Sequence, residues 1–249
     1  MLITATFFDT SLPSNIQLSS IMRFLILSAA YCLSLQVWAQ APAFIKPDYK
    51  EIEKTIKDPH SELNYSKLFD RYIFSDTSLN EEHYKHLYYG YIYHKDYSPN
   101  ATSIYTDSLQ IIMQKTPLER EDYVSIIRLE NLILHDTPFS LRDLNLLANM
   151  YYKLGDLLST KTTDYKLNML LKTILASGTG KNEQEGWHVI SISHEYDIIH
   201  ALGYKFSGSH TMTANRCDFL ELAKNPDKIR GFYFDVNMIF EKQAQLFEK

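Results

Sequence analysis

A change of hydrophobic period near residue 180 constrains this chain more than any other feature. Before it, apolar residues recur at spacings of three and four, which places them on one stripe of a helix. Leu129, Leu132 and Ile133 form one such run, and Leu144, Leu147 and Tyr151 form another. Beyond it the spacing is two. In "RGFYFDVNMIF", Phe232, Phe234, Val236, Met238 and Phe240 alternate with Tyr233, Asp235 and Asn237, which predicts a strand with one buried face. "GWHVISIS" reads as another strand, and "NPDK" as a turn. The segment Gly178 to Gly186, rich in Gly, Asn and charge, separates the two regimes. The expected fold class is therefore α+β: an N-terminal antiparallel helical-hairpin array over residues 46–178, then a small antiparallel β-sheet. The β-rich region, 187–249, packs its phenylalanine face on the helices.

The helical region carries its own start signals. "TPLE", Thr116 to Glu119, reads as a capping box with proline at the first helical position, and "DTPFSLRD" repeats the device at Thr137-Pro138. "LLANMYYKLGD" resembles the first helix of a tetratricopeptide repeat, with Leu147, Ala148, Tyr151 and Gly155 in that family's packing places. The second helix departs from the pattern at Thr160 and Asp164, unless "LSTKTTD" is an inserted loop that shifts the register. The array is accordingly a degenerate one. Most of the chain also resembles a family of exported bacterial proteins classed as a domain of unknown function, through "LYYGYIYHKDYSPN", "HEYDIIHALG" and "GFYFDVNMIF". That resemblance implies no activity, because none is established for the family.

The N-terminus reads as an address. Met22-Arg23 precedes "FLILSAAYCLSLQVW" and then "AQAPAF", where Val37 and Ala39 give the small-residue pattern of a signal-peptidase site. Residues 1–39 are thus read as an over-long start plus a cleaved signal peptide, with the true start at Met22. The apolar run is short for a bilayer span and lacks a basic flank on its far side. A lipid anchor on Cys32 is disfavoured by Tyr31, which stands where a small residue is needed. The expectation is an exported protein, periplasmic or secreted, with no stable membrane insertion after cleavage. Cys217 is then the one remaining cysteine, and "NRCDFLELA" around it carries no catalytic signature, so burial is the favoured reading. The formal charge of -5 is mild and unclustered, which argues against nucleic acid as a partner.

Motifs for chemistry are weak. In "LASGTGKNEQEGW" a phosphate-binding loop fails on its preceding helix, on Leu175 in place of glycine, and on Asn182 after Lys181. Gly178 reads instead as a left-handed helix cap. "HEYDIIH" spaces its histidines six apart, with Ile198 where a zinc protease places histidine. On a strand, His188 and His194 would share a face with Ile190 and Ile192. The tyrosine cluster says more. In "EEHYKHLYYGYIYH", Tyr84, Leu87, Tyr88, Tyr91 and Ile92 form a core stripe, while Glu82, His86, Tyr89 and Tyr93 define a second face. That face is the candidate ligand-binding groove, since tyrosine offers apolar area with a polar tip. Its alternative is a second packing layer, with Gly90 admitting a close helix. The expected function is a non-catalytic binding or scaffold protein using this groove for a peptide, protein or glycan. No catalytic residue, cofactor or metal is assigned. The alternative is a hydrolase with a site among His188, His194, Glu195, His200 and His210.

Overall fold

The structure is a computed structural model that describes residues 44–247, with the backbone alone for residues 246 and 247. The predicted signal segment, 1–39, lies outside the described residues. Seven helices come first among them: α1 (Tyr49–Lys57), α2 (Tyr65–Ile73), α3 (Glu81–Gly90), α4 (Thr106–Met113), α5 (Arg120–Asp136), α6 (Leu141–Leu154) and α7 (Leu157–Leu175). A 3-10 turn, Tyr91–Tyr93, extends α3, and another, Glu183–Glu185, precedes the sheet. Then follow β1 (Trp187–His188), α8 (Ile192–Ala201), β2 (Phe206–Met212), β3 (Cys217–Leu222), β4 (Gly231–Asp235) and α9 (Asn237–Phe247). The class is α+β.

Local chemistry explains the boundaries. Asp48 opens α1 by accepting from the backbone N–H groups of Lys50 and Glu51, and the helix buries Ile52 and Ile56. Gly155, at φ 79°, closes α6 in the left-handed region, and the Asp156 side chain accepts from Ser159 N to open α7. So tight a connection makes α6 and α7 an antiparallel hairpin. Helix α7 runs without interruption to Leu175, so "LSTKTTD" is helix and not an inserted loop. The two proline-based start signals fall outside the helices they were expected to open. Helix α5 starts after Glu119, whose N–H donates to the Asp122 side chain at 3.0 Å. Helix α6 starts after Ser140. Pro138 bars Thr137 from the helical region, so Thr137 ends α5 instead, its hydroxyl donating to Ile133 O at 2.9 Å.

The sheet has strand order β1-β4-β3-β2. It is mixed and not antiparallel throughout: β2/β3 and β3/β4 are antiparallel, but β1 lies parallel to β4 with Trp187 opposite Phe234. "GWHVISIS" is strand only as far as His188. Ser191 then takes an extended conformation as the cap of α8, so the chain leaves β1 by a helix and not by a hairpin turn. Strand β4 also ends earlier than its alternation predicts. The Asp235 side chain accepts from Asn237 N at 3.0 Å and turns the chain into α9.

The period-two face is buried against the helices, as its pattern requires. Phe232, Phe234 and Leu220 share one core cluster with Tyr88, Leu170, Ile174 and Ile198. A smaller cluster, Leu109, Ile126, Leu129, Ile133 and Met150, joins α4, α5 and α6. Gly178 serves close approach and not a left-handed cap: a Cβ there would lie 2.3 Å from Glu185 O. The left-handed glycine of this turn is Gly180, at φ 67°, beneath the Trp187 ring.

Candidate functional site

The second tyrosine face divides: His86 and Tyr89 are packed in the interior, while Glu82 is exposed and Tyr93 half-buried. His86 and Tyr89 are each 1% exposed. The Tyr89 hydroxyl is shared between Thr173 O at 3.3 Å and His188 O at 3.4 Å, which ties α3 to α7 and β1. His86 Nδ1 donates to Glu82 O at 3.0 Å. Tyr93, half-buried, donates to Tyr49 O at 3.0 Å, and Glu82 remains at the surface beside Lys85. The cause is position. Helix α3 has neighbours on several sides, and a Cβ on Gly90 would already lie 3.1 Å from Ile56 Cδ1 and 3.4 Å from the Tyr65 ring. A helix so enclosed buries residues on both faces, His86 and Tyr89 as well as Tyr84 and Tyr88.

The histidines of the C-terminal third engage separate partners. His188 and His194 do not share a strand face, because His194 belongs to α8. His188 is buried on β1 with Asp235 Oδ2 3.8 Å away, and burial pushes its pKa below the usual range. His210, on β2, meets Asp218 at 3.1 Å, and His200 is exposed. Among the described residues no three His, Cys, Asp or Glu side chains gather with metal-holding spacing. Cys217 is buried, its thiol donating to Glu183 O at 3.4 Å. Burial first, then the nearby Asp235 carboxylate, push that thiol up to about 11, which removes nucleophilic character at neutral pH.

A cavity of about 240 Å³ lies where the segment after the first 3-10 turn, α4, the end of α5, the start of α6 and the start of α8 meet. Tyr91, Tyr97, Phe139 and Ile190 supply its apolar walls. The rings brace one another edge to face, Tyr91 against Phe139 at 5.1 Å and against Tyr97 at 5.6 Å. A buried polar chain fixes the wall nearest the sheet. Ile190 N donates to the Tyr88 hydroxyl at 3.3 Å, that hydroxyl lies 2.7 Å from His194 Nδ1, and Tyr97 donates to Ile190 O at 2.8 Å. Burial, followed by the Arg142 charge, pushes His194 down to about 3, against the Phe139 carbonyl, which acts the other way. The ring is therefore neutral at pH 7, and Nδ1 accepts the tyrosine proton.

Charge sits at the rim. Arg142, in the first turn of α6, donates through Nε to Asp197 Oδ1 at 3.0 Å and through Nη2 to Ser193 O at 3.4 Å, with Nη2 also 2.9 Å from Asp197 Oδ1 in an ion pair. Asp143 also lines the cavity, its carboxyl raised by burial against the lowering effect of Ser140 and Arg142. Asp136, the last residue of α5, accepts from the Ser103 hydroxyl at 2.7 Å. None of Glu82, His86, Tyr89 and Tyr93 lines this space. Its residues are scattered from Tyr91 to His194, so spacing could not assemble them. The available signal lay in two short strings, Ser140-Leu141-Arg142-Asp143 and Ser191-Ile192-Ser193-His194, each placing polar groups in the first turn of a helix.

Comparison with known proteins finds a family model described as "Domain of unknown function (DUF4919)" matching residues 50–245. No curated protein and no solved structure matches the chain significantly.

Proposed function

We infer that this chain, which belongs to the DUF4919 family of domains of unknown function, is a non-catalytic binding protein. The carrying observation is the cavity of about 240 Å³ walled by Tyr91, Tyr97 and Phe139. An apolar pocket with a few polar groups converging on it is the form that small-ligand sites take. Its occupant is a small molecule or a side chain of a peptide, protein or glycan partner. The binding reading is favoured over hydrolysis by the state of the groups at hand. His194 is held neutral with its Nδ1 occupied by Tyr88, and the Ser191 and Ser193 hydroxyls bond each other at 2.9 Å. None is arranged as a nucleophile with its base. The export reading rests on the apolar run Phe24 to Trp38 and the Val37/Ala39 pattern; intact mass of the exported protein tests it, and a mass that retains residues 22–39 overturns it.

The experiment on binding is a ligand-observed NMR screen against the protein and an Ala101→Trp variant. Ala101 lines the cavity yet is itself exposed, so a large ring there fills the space with little effect on the core. Binders of the parent protein should be lost by the variant while its melting temperature holds. Equal binding by both would remove the cavity as the site.

A further inference from the structure

We propose that this cavity takes the cationic head, ammonium or guanidinium, of a ligand with a small apolar body, with Asp136 and Asp143 as its counter-ions and the Tyr91, Tyr97 and Phe139 rings as its wall. This rests on the reading of the cavity as a binding site and adds the sign of the ligand. The charges on the lining decide it. The cationic side chain of the lining is Arg142, and it is already held by the Asp197 carboxylate and the Ser193 carbonyl. His194 is neutral. What remains are two carboxylates. Asp136 stands at the C-terminal end of the seventeen-residue helix α5, where the aligned peptide dipoles already concentrate negative potential and disfavour an acid. Its own partners are the Ser103 hydroxyl and the exposed His135 ring at 3.5 Å. Asp143 adds to the same field: burial raises both Glu130 and Asp197, and the Asp143 charge acts in the same direction on each.

An anion is the competing occupant, because α6 and α8 both begin at the cavity and their first turns present positive ends. Those ends are answered within the protein. Asp143 occupies the first turn of α6, and in that of α8 the His194 N–H donates to Ser191 O at 3.1 Å. An entering anion would meet the Asp136 and Asp143 carboxylates of the lining. A cation meets the opposite: two counter-ions and three aromatic rings, the combination that attracts an ammonium or guanidinium through ring quadrupoles as well as charge.

The probes are benzylamine, benzyl alcohol and benzoate, which share size and shape and differ in charge. Binding of each to the purified protein is measured by calorimetry or ligand-observed NMR near neutral pH, with the Ala101→Trp variant as the control for location. Benzylamine should bind about tenfold or more tighter than benzyl alcohol, and benzoate more weakly than both. Asp136→Asn, on a partly exposed side chain, should remove several-fold of the benzylamine affinity and leave benzyl alcohol unchanged; Asp143→Asn should do the same if its melt matches the parent. Benzyl alcohol or benzoate binding as tightly as benzylamine, with Ala101→Trp abolishing it, would overturn the cationic assignment and leave the cavity as a site. Failure of all three to show binding sensitive to Ala101→Trp would overturn both.

Discussion

Two glutamates lie in the interior with neither carboxyl oxygen hydrogen-bonded, Glu130 and Glu195, each 0% exposed. Burial, then the Asp143 charge, raise Glu130 to about 8; burial, then Asp218, raise Glu195 to about 9. Both values stand above the 4.5 of a free glutamate, so the folded state holds protons that the unfolded state has released. Stability from this source is greatest below pH 4.5 and falls as pH rises towards 8 and 9, by up to roughly 1.4 kcal/mol per pH unit for each group. Urea titrations across that window should show the decline, and Glu130→Gln or Glu195→Gln should each flatten it and raise stability most at its alkaline end. A parent protein whose stability rises from pH 5 to 8 would refute the assignment. The helix that carries Glu130 was legible from Leu129, Leu132 and Ile133, and the residues it buries include Ile126, Glu130 and Ile133. The state of Glu130 was not, because residue type alone argues for solvent. Tyr89 shows the converse: a polar tip suggested a groove, while the carbonyls of Thr173 and His188, distant in sequence, satisfy that tip in the core.

Elements were legible where one periodicity held and illegible where a single side chain redirected the chain. The alternation Phe232, Phe234, Val236 does mark a buried face, yet nothing in a period of two shows that the Asp235 carboxylate will take up Asn237 N and begin α9. "GWHVISIS" failed for a related reason. Its alternation of apolar and polar residues does not show that Ser191 will cap a helix beginning at Ile192. Strand β4 supplies a clean test of the part that was read correctly. Phe234→Asp places a charge where exposure is 0%, at a cost of several kcal/mol, comparable with the ~5–15 kcal/mol that holds a whole domain together. Asp235→Ser keeps an oxygen able to accept from Asn237 N and should cost about 1 kcal/mol. Thermal melts should show the first variant unfolded and the second close to the parent; equal melts would mean that the register of β4 is wrong.

At the scale of the molecule, the helices and the sheet were anticipated as two regions, residues 46–178 and 187–249, with the second packed on the first, and their interiors share one core cluster. One cluster contains Tyr84, Tyr88 and Tyr89 of α3, Leu170 and Ile174 of α7, Ile198 and Ile199 of α8, and Leu220, Phe232 and Phe234 of the sheet, and residues from Phe44 onward form one compact unit. Helices followed by strands, and a phenylalanine face that needs their cover, could be read from the order of periods, whereas the particular partners, such as Tyr88 and His194, lie 106 positions apart and no local pattern encodes them. Continuity has a thermodynamic consequence. If the sheet were removed, Tyr88, Leu170 and Ile174 would lose their cover, and the apolar area released to water at ~25 cal/mol per Å² would exceed the small margin on which a domain stands. The intact protein should therefore unfold in one step, with far-UV circular dichroism, which reports the helices, and Trp187 fluorescence, which reports the sheet, giving the same midpoint in urea. To leave Trp187 as the reporter, Trp38 is removed with residues 1–39. A fragment of residues 44–178 should in turn lack a cooperative transition. Two separated midpoints, or a cooperative melt of the fragment, would show that the helical part stands alone and that the shared interior contributes little to its stability.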